Sequence, residues 1–378
     1  MIYFDNAATT AMSEASLRAL IDISTTQYGN PSAAYSFGGK TKEILEESRK
    51  IIADCIGAEP EEIFFTSCGT ESDNWVISQV GPELNKVIIS AVEHHAILFP
   101  SERCYEDGIA LTVLPVDGSC IVLKEELEKE LDGSPALVSV MMQNNETGTI
   151  QHIKELVEIV HTNNEHSIFH TDAVQAVGHV AINVHDLGVD MLSASAHKFN
   201  GPKGVGFLYV KRECRIKPFI LGGRQENGLR SGTENVAGIY AMAKALEDNV
   251  NNLTSNHEHI KDLENLLLKS LKTADIDYVV NADSAQRAVG ILNIAINGMD
   301  GEGLLNMLDM HGICISIGSA CNSKAQERSH VLTAMGLSDE QIDSSIRISI
   351  GRYNTEDEVA ELVKCIKRCC KVAALAEA

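Results

Sequence analysis

The segments FHTDAVQAVG (residues 169–178) and LSASAHKFNGPKGVGFLYV (residues 192–210) decide the fold. Each opens as a short apolar run and leaves it through polar residues into a turn. Runs of this kind are buried on both faces, as strands are in a parallel sheet covered by helices. Open α/β sheets gather their ligands beyond the carboxyl ends of such strands. Asp172 and Gln175 follow the first run, and Lys198 follows the second, just before the turn NGPKG. A desolvated amine must find a partner or lose its proton. Lys198 therefore suits a Schiff-base lysine with Asp172 facing a pyridine nitrogen, the arrangement used for pyridoxal phosphate. Taken alone, the same pair also suits a loop lysine and a helix-capping aspartate.

Outward from these segments the same alternation continues. SEASLRALIDIS (13–24) reads as a helix opened by Ser13, and KTKEILEESRKIIADCIG (40–57) as an amphipathic helix ended by Gly57. EIFFTS (62–67), KVIISAVEH (86–94), ALVSVMMQNN (136–145) and GVGFLYV (204–210) read as strands, and KPFILGG (217–223) as one more. A long polar-faced helical stretch (243–272) leads to a smaller α/β layer with strands in VGILNIAI (289–296), ICISIG (313–318) and SIRISIG (345–351). The expected organisation is an N-terminal arm (1–14) associated with the small domain, a large cofactor domain (15–246) and a small C-terminal domain (247–378).

Composition narrows the function. The 378 residues carry 31 Lys+Arg against 53 Asp+Glu, a net charge of −22. Such acidity argues against nucleic acid or an anionic membrane as the main partner. An anionic ligand must be held by local donors. Ten cysteines are spread without a CxxC pair, and no run of apolar residues is long enough to span a bilayer. The N-terminus MIYFDNAATT lacks the features of a signal peptide. The expectation is a cytoplasmic protein with reduced thiols and no metal site.

Four further constellations carry chemistry. In FTSCGTESDNW (65–75) a strand enters a turn and a helix leaves, so the N–H groups at Gly69 and Thr70 and the Thr70 hydroxyl suit a phosphate. An ordinary capped helix start has the same pattern. His94, in VEHHAILFP (92–100), suits stacking on a ring and proton transfer, or a satisfied sheet-edge histidine. Cys321 lies in the loop-like stretch SIGSACNSKAQERSH (316–330), unlike Cys55 or Cys314, which sit in apolar patterns. Cys365, Cys369 and Cys370 suit helix packing. Arg347, in a strand pattern, offers a fork for a carboxylate or a structural ion pair, with Arg352 as the alternative.

Together these motifs resemble the cysteine desulfurases, fold-type I pyridoxal-phosphate enzymes of the class V aminotransferase superfamily. The resemblance runs from YFDNAATT (3–10) through NPSAAYSFGG (30–39), FTSCGTESDN, VEHHAI, NNETG (144–148), HTDAVQAVG, SAHKFNGPKG and GLRSGTEN (228–235) to GSACNS (318–323) and SIRISIG. The GSAC form resembles the long-loop branch that serves iron–sulfur cluster and thio-cofactor assembly. The resemblance implies that Lys198 joins the cofactor, Asp172 holds its ring nitrogen and Gln175 bonds its ring hydroxyl. It implies that His94 stacks on the ring, and that Gly69, Thr70, Ser195 and His197 hold the phosphate. Thr233 would reach the phosphate of a neighbouring subunit, so a homodimer is implied. Asn145 and Arg347 would bind the carboxylate of L-cysteine, with Asn6 and Ala7 beside it. Cys321 would be the nucleophile that carries sulfur to an acceptor protein, an iron–sulfur scaffold or a thiolation protein. Another reaction of the superfamily, transamination or lysis of cysteine or selenocysteine, is the alternative. Ala11, Tyr35, Cys68 and Arg224 depart from the family pattern.

Overall fold

The computed structural model describes residues 1–81, 84, 86–283, 286–318 and 328–377. Cys321 lies outside the described residues. Twelve strands are formed among them: β1 (Ile2–Tyr3), β2 (Ile63–Thr66), β3 (Lys86–Ser90), β4 (Ala110–Leu114), β5 (Leu137–Ser139), β6 (Ile168–Asp172), β7 (Met191–Ser195), β8 (Gly206–Val210), β9 (Tyr278–Val280), β10 (Ile291–Ile296), β11 (Ile313–Cys314) and β12 (Ser345–Ser349). Seven of them make the main sheet, in the order β2-β8-β7-β6-β5-β3-β4. Only β8 runs against its neighbours. The fold is thus the α/β architecture with a mostly parallel central sheet that the apolar runs imply.

Alternate residues of each strand divide between two cores. Phe65, Ile88, Val138, Leu192 and Phe207 bury on one face against Ile52 and Leu246 from the helices Ser36–Ile56 and Val236–Asn251. Phe64, Ile89, Leu137, Met191 and Leu208 bury on the other face against Trp75 and Ile97. Each such fully buried side chain contributes about 1.5–3 kcal/mol. A third cluster gathers Phe4, Leu263, Leu292, Ile346, Ile348 and Val363 around the sheet β12-β10-β9, and takes in Cys365 and Cys369.

Residues 1–13 lie between these bodies. β1 pairs in parallel with β11, and the Asn6 N–H bonds Ser349 O. Farther on, the Thr10 N–H bonds His197 O and the Ser13 N–H bonds Asn200 O. Ser13 then caps the helix Glu14–Thr26, as its position predicts, and Gly57 ends the helix Ser36–Ile56 in the left-handed conformation.

Two local readings are corrected. KPFILGG is not a strand. Lys217 O instead accepts from Trp75 Nε1 at 2.9 Å, and Phe219 stacks on the Trp75 ring. The apolar character of that stretch serves packing against a helix, and its pairing is limited to one isolated bridge between Ile220 and Arg230. The 243–272 stretch is two helices, Val236–Asn251 and Leu253–Thr273, interrupted at Asn252.

β2 is an edge strand, and its outer side is closed by a buried acid. Glu226 Oε2 accepts from the Phe65 N–H at 2.9 Å, and the carboxylate takes both Arg49 Nη atoms at 2.8 and 3.0 Å. The Glu226 side chain is 2% exposed. Removing one partner of a buried pair costs about 3–5 kcal/mol. Glu226→Gln, which keeps the volume, is expected to lose stability of that order, read from the urea midpoint of unfolding.

Candidate active site

The carboxyl ends of β6 and β7 and the turn after β2 meet at one cavity of about 220 Å³. Lys198, Asp172, Gln175, His94, Gly69, Thr70, Ser195, His197, Asn145, Arg347 and Ala7 all line it. Asp172 is the last residue of β6 and Ser195 the last of β7, and the short 3-10 turn Ala196–Lys198 follows at once. This is the strand-end placement expected of an open α/β sheet.

The turn after β2 is built for close approach. Cys68 is extended and starts the helix Gly69–Ile77 without a side-chain cap. A Cβ on Gly69 would stand 2.6 Å from Val174 Cγ2, and one on Gly206 would stand 3.1 Å from the Cys68 carbonyl carbon. Only glycine lets helix start and sheet touch there, which leaves the first N–H groups of the helix facing the cavity. The turn is fixed from behind by Glu71. Its carboxylate takes the Ser67 N–H at 2.8 Å and the Arg230 guanidinium at 2.8 and 3.1 Å. Burial pushes Glu71 up, but the Arg230 and Ser67 bonds outweigh it and hold the acid below its ordinary value.

Lys198 Nζ donates to Ala7 O at 2.5 Å and Ala8 O at 3.0 Å. Gln175 Nε2 shares the Ala7 carbonyl at 2.8 Å. His94 caps the helix His95–Glu106: its Nδ1 accepts from the Ala96 N–H at 3.1 Å. Burial, then the nearby Lys198 charge, push His94 down to about 4, so its ring is neutral at pH 7 with the proton on Nε2. His197 is likewise pushed to about 4 by burial and Lys198, and its Nδ1 lies 3.1 Å from Thr9 Oγ1. The buried Asp172 accepts from the Val174 N–H at 2.9 Å. Burial raises its pKa while that bond and Lys198 oppose the rise.

Arg347 is 1% exposed. Its Nη1 donates to Asn145 O at 2.9 Å and its Nη2 to Asp5 Oδ1 at 2.7 Å, while its buried Nε has no partner. It is thus an ion-paired arginine that also lines the cavity. Arg352 instead pairs with Asp248 at 2.8 Å.

Not every expected site residue reaches the cavity. Asn6 turns away: its Nδ2 donates to Ser349 O at 2.9 Å and to Asn354 Oδ1 at 3.1 Å, so it anchors the arm. Thr233 is exposed in the loop that follows Arg230, outside the cavity of its own chain. Sequence reasoning in turn missed Asp73, Ala8 and Met141, which line the cavity, and Asp5, which orients Arg347. It also missed Asn144, whose Oδ1 accepts from the Glu146 and Thr147 N–H groups and shapes the turn that presents Asn145. The one available signal was the position of Asp73, four residues after Gly69 and so on the same helix face.

The residues present fit pyridoxal phosphate. Ser195 Oγ is buried without a partner beside a bare helix start, as a phosphate ligand would be. A buried acid, an amine and a neutral histidine surround the remaining space. Fold and site together define a fold-type I pyridoxal-phosphate enzyme. The family model described as Aminotransferase class-V matches residues 2–362. The chain is 40% identical to "Cysteine desulfurase IscS" of Clostridium botulinum over 376 residues, 98% of this chain and 94% of that one. A solved structure called "NIFS-LIKE PROTEIN" superposes with a TM-score of 0.92 at 36% identity, covering 98% of this chain and 99% of that one. Another, "SspA in complex with cysteine", superposes with a TM-score of 0.82 at 30% identity, covering 94% and 100%. The chain belongs to the cysteine desulfurases of the class-V aminotransferase family.

Ser195 gives a sharp check. A hydrogen bond to a charged group contributes about 1.5–3 kcal/mol, and an unpaired buried hydroxyl costs stability. Ser195→Ala is expected to weaken cofactor binding by about tenfold or more. The melting temperature of the cofactor-free protein should stay level or rise. Absorbance titration and a thermal melt read the two effects.

Proposed function

We propose that this enzyme removes sulfur from L-cysteine, releasing L-alanine and keeping the sulfur as a persulfide on Cys321. The observation that carries the reading is the meeting of Lys198, Asp172 and Arg347 in one cavity. Pyridoxal phosphate, when bound, supplies an aldehyde for amines and a ring that accepts electrons from the substrate Cα.

Gly69, Thr70, Ser195 and His197 would hold the phosphate, Gln175 would meet the ring hydroxyl, and Asp172 would keep a proton at the ring nitrogen. Arg347, with Asn145 beside it, receives the substrate carboxylate. Ala7 offers its backbone there, whereas Asn6 supports the site only by anchoring the arm. Lys198 Nζ removes the α-proton and returns a proton. His94, neutral with its proton on Nε2, would face the ring and would offer it a hydrogen bond from Nε2. The Cys321 thiolate attacks the substrate sulfur. The sulfur–carbon bond breaks, its electron pair stays with the carbon skeleton, and that skeleton leaves as alanine after protonation.

The reading extends to partners. Residues 15–246 form the cofactor domain and 247–378 the small domain, with the arm (1–14) bonded to both. Two copies assemble so that Thr233 reaches the neighbour's phosphate site. Its loop is suited to this, because the Arg230–Glu71 pair ties it to the Gly69 turn. The persulfide passes to an acceptor protein, an iron–sulfur scaffold or a thiolation protein, in the cytoplasm. A reducing compartment suits nine described cysteines that are all free. Among the described residues no helix is long and apolar enough to cross a membrane.

Cys321→Ala is expected to abolish sulfide and alanine formation from L-cysteine while leaving cofactor absorbance intact. Mass spectrometry of the wild-type protein after L-cysteine should find one added sulfur on the peptide holding Cys321. Turnover that survives the substitution, with no added sulfur, rejects the assignment.

A further inference from the structure

Asp73 has no role in the chemistry above, yet it borders the cavity of Lys198. It sits on the helix Gly69–Ile77 and is 1% exposed. Its Oδ1 is buried with no hydrogen-bond partner. His170 Nε2 lies 3.8 Å from that oxygen, and Ser193 Oγ lies 3.0 Å from the same Nε2. Ser193 is the register partner of Asp172 across β6 and β7, so Asp73 stands over the strand ends that carry Asp172.

Among the described residues, the charged groups that act on Asp73 offer it no counter-charge. Asp172 comes from β6, Glu93 from the turn after β3 and the Cys68 thiol from the helix start; each opposes its ionisation. His170 is fully buried between Ser139 Oγ at 2.9 Å and Ser193 Oγ at 3.0 Å, and burial pushes it down to about 3, so its ring is neutral. Glu93 accepts from Ser90 Oγ at 2.5 Å and the Met141 N–H at 2.8 Å, and burial pushes it up to about 8. Lys198 is the cation that acts on Asp172. Three ionised carboxylates around one ammonium, away from water, are not sustainable. Burial and the Asp172 charge both raise Asp73 well above the ordinary carboxyl range. An acid so placed keeps its proton and has an O–H to donate.

We propose that Asp73 is a positioning residue for this reaction, a neutral carboxylic acid whose O–H donates toward the Asp172 carboxylate and fixes it against the cofactor's ring nitrogen. The inference rests on the assignment of Asp172 to that nitrogen. A donor there stabilises the Asp172 anion, which burial alone disfavours. It also sets the carboxylate's direction, and a misplacement of about 1 Å can cost about a hundredfold in rate.

The test uses the holoenzyme with cofactor isotopically labelled at the ring nitrogen, reading that nitrogen's magnetic resonance together with kcat and KM for L-cysteine. Asp73→Asn keeps a donor and cannot ionise, so rate and nitrogen signal should stay close to wild type. Asp73→Ala should lower kcat by about 10- to 100-fold with little change in KM, and move the signal toward unprotonated pyridine. If the alanine variant does not fold, Asp73→Leu fills the volume and gives the same readout. An asparagine variant as impaired as the alanine or leucine variant means that a charge, not a donated hydrogen bond, matters, and overturns the proposal. So does an alanine or leucine variant that melts earlier but keeps its kcat and nitrogen signal. Asp172→Asn separates the two assignments. If it leaves the nitrogen signal unmoved, the reading of Asp172 falls and this inference with it. If it moves the signal while Asp73→Ala and Asp73→Leu do not, only the role of Asp73 falls.

Discussion

The site depends on one constraint: a lysine ammonium beneath a covered sheet must be held by oriented dipoles. Here the dipoles are the carbonyls of Ala7 and Ala8. Neither belongs to a helix or a sheet, so the arm that bears them must be fixed from outside. On one side β1 pairs with β11, Asp5 pairs with Arg347, and the Ala7 N–H bonds Ser349 Oγ at 2.9 Å. On the other side Thr10 and Ser13 bond His197 and Asn200, which flank Lys198 itself. The arm therefore joins the packing of the β12-β10-β9 body to the position of the reactive amine. It also couples the expected carboxylate fork to that amine, since Arg347 and Lys198 are held through neighbouring residues of the same strand of chain.

Acidity is the second theme. The chain carries a strong negative charge, and its cavity gathers carboxyl groups as well. An anionic cofactor suits this acidic chain because the Gly69 turn presents backbone N–H groups and hydroxyls to the cavity, and such donors answer to local geometry and not to the overall field. The acidic end of the cavity, at Asp172 and Asp73, suits the opposite charge, since a nearby carboxylate favours a nitrogen that carries a proton. The two ends are separated by the length of a helix turn, from Gly69 to Asp73.

The main sheet was legible because its strands are short apolar runs whose two faces are both covered, and Leu192 and Met191 illustrate that division. The cradle at Gly69, the acid at Asp172 and the amine at Lys198 were legible because each stands at a strand end. KPFILGG misled because an apolar run against Trp75 looks the same as one inside a ladder. Asn6 was legible as part of a motif but not as an arm anchor, because its partners, Ser349 and Asn354, lie at the far end of the chain. Asp73 was hidden for a related reason. Its meaning comes from Ser193, His170 and Asp172, none of them near it in sequence.

The sequence by itself determined which chemical groups this protein possesses and at which strand ends they stand, because burial patterns and turn residues are local properties of the chain. Tertiary structure alone decided which of them share a cavity, which carboxyls lack a counter-ion and which arginine reaches the amine's side of the molecule. Those outcomes depend on distances between residues hundreds of positions apart, such as Asp5 and Arg347, and on the loss of water around them. Neither quantity exists until the sheet, the arm and the smaller body have packed together.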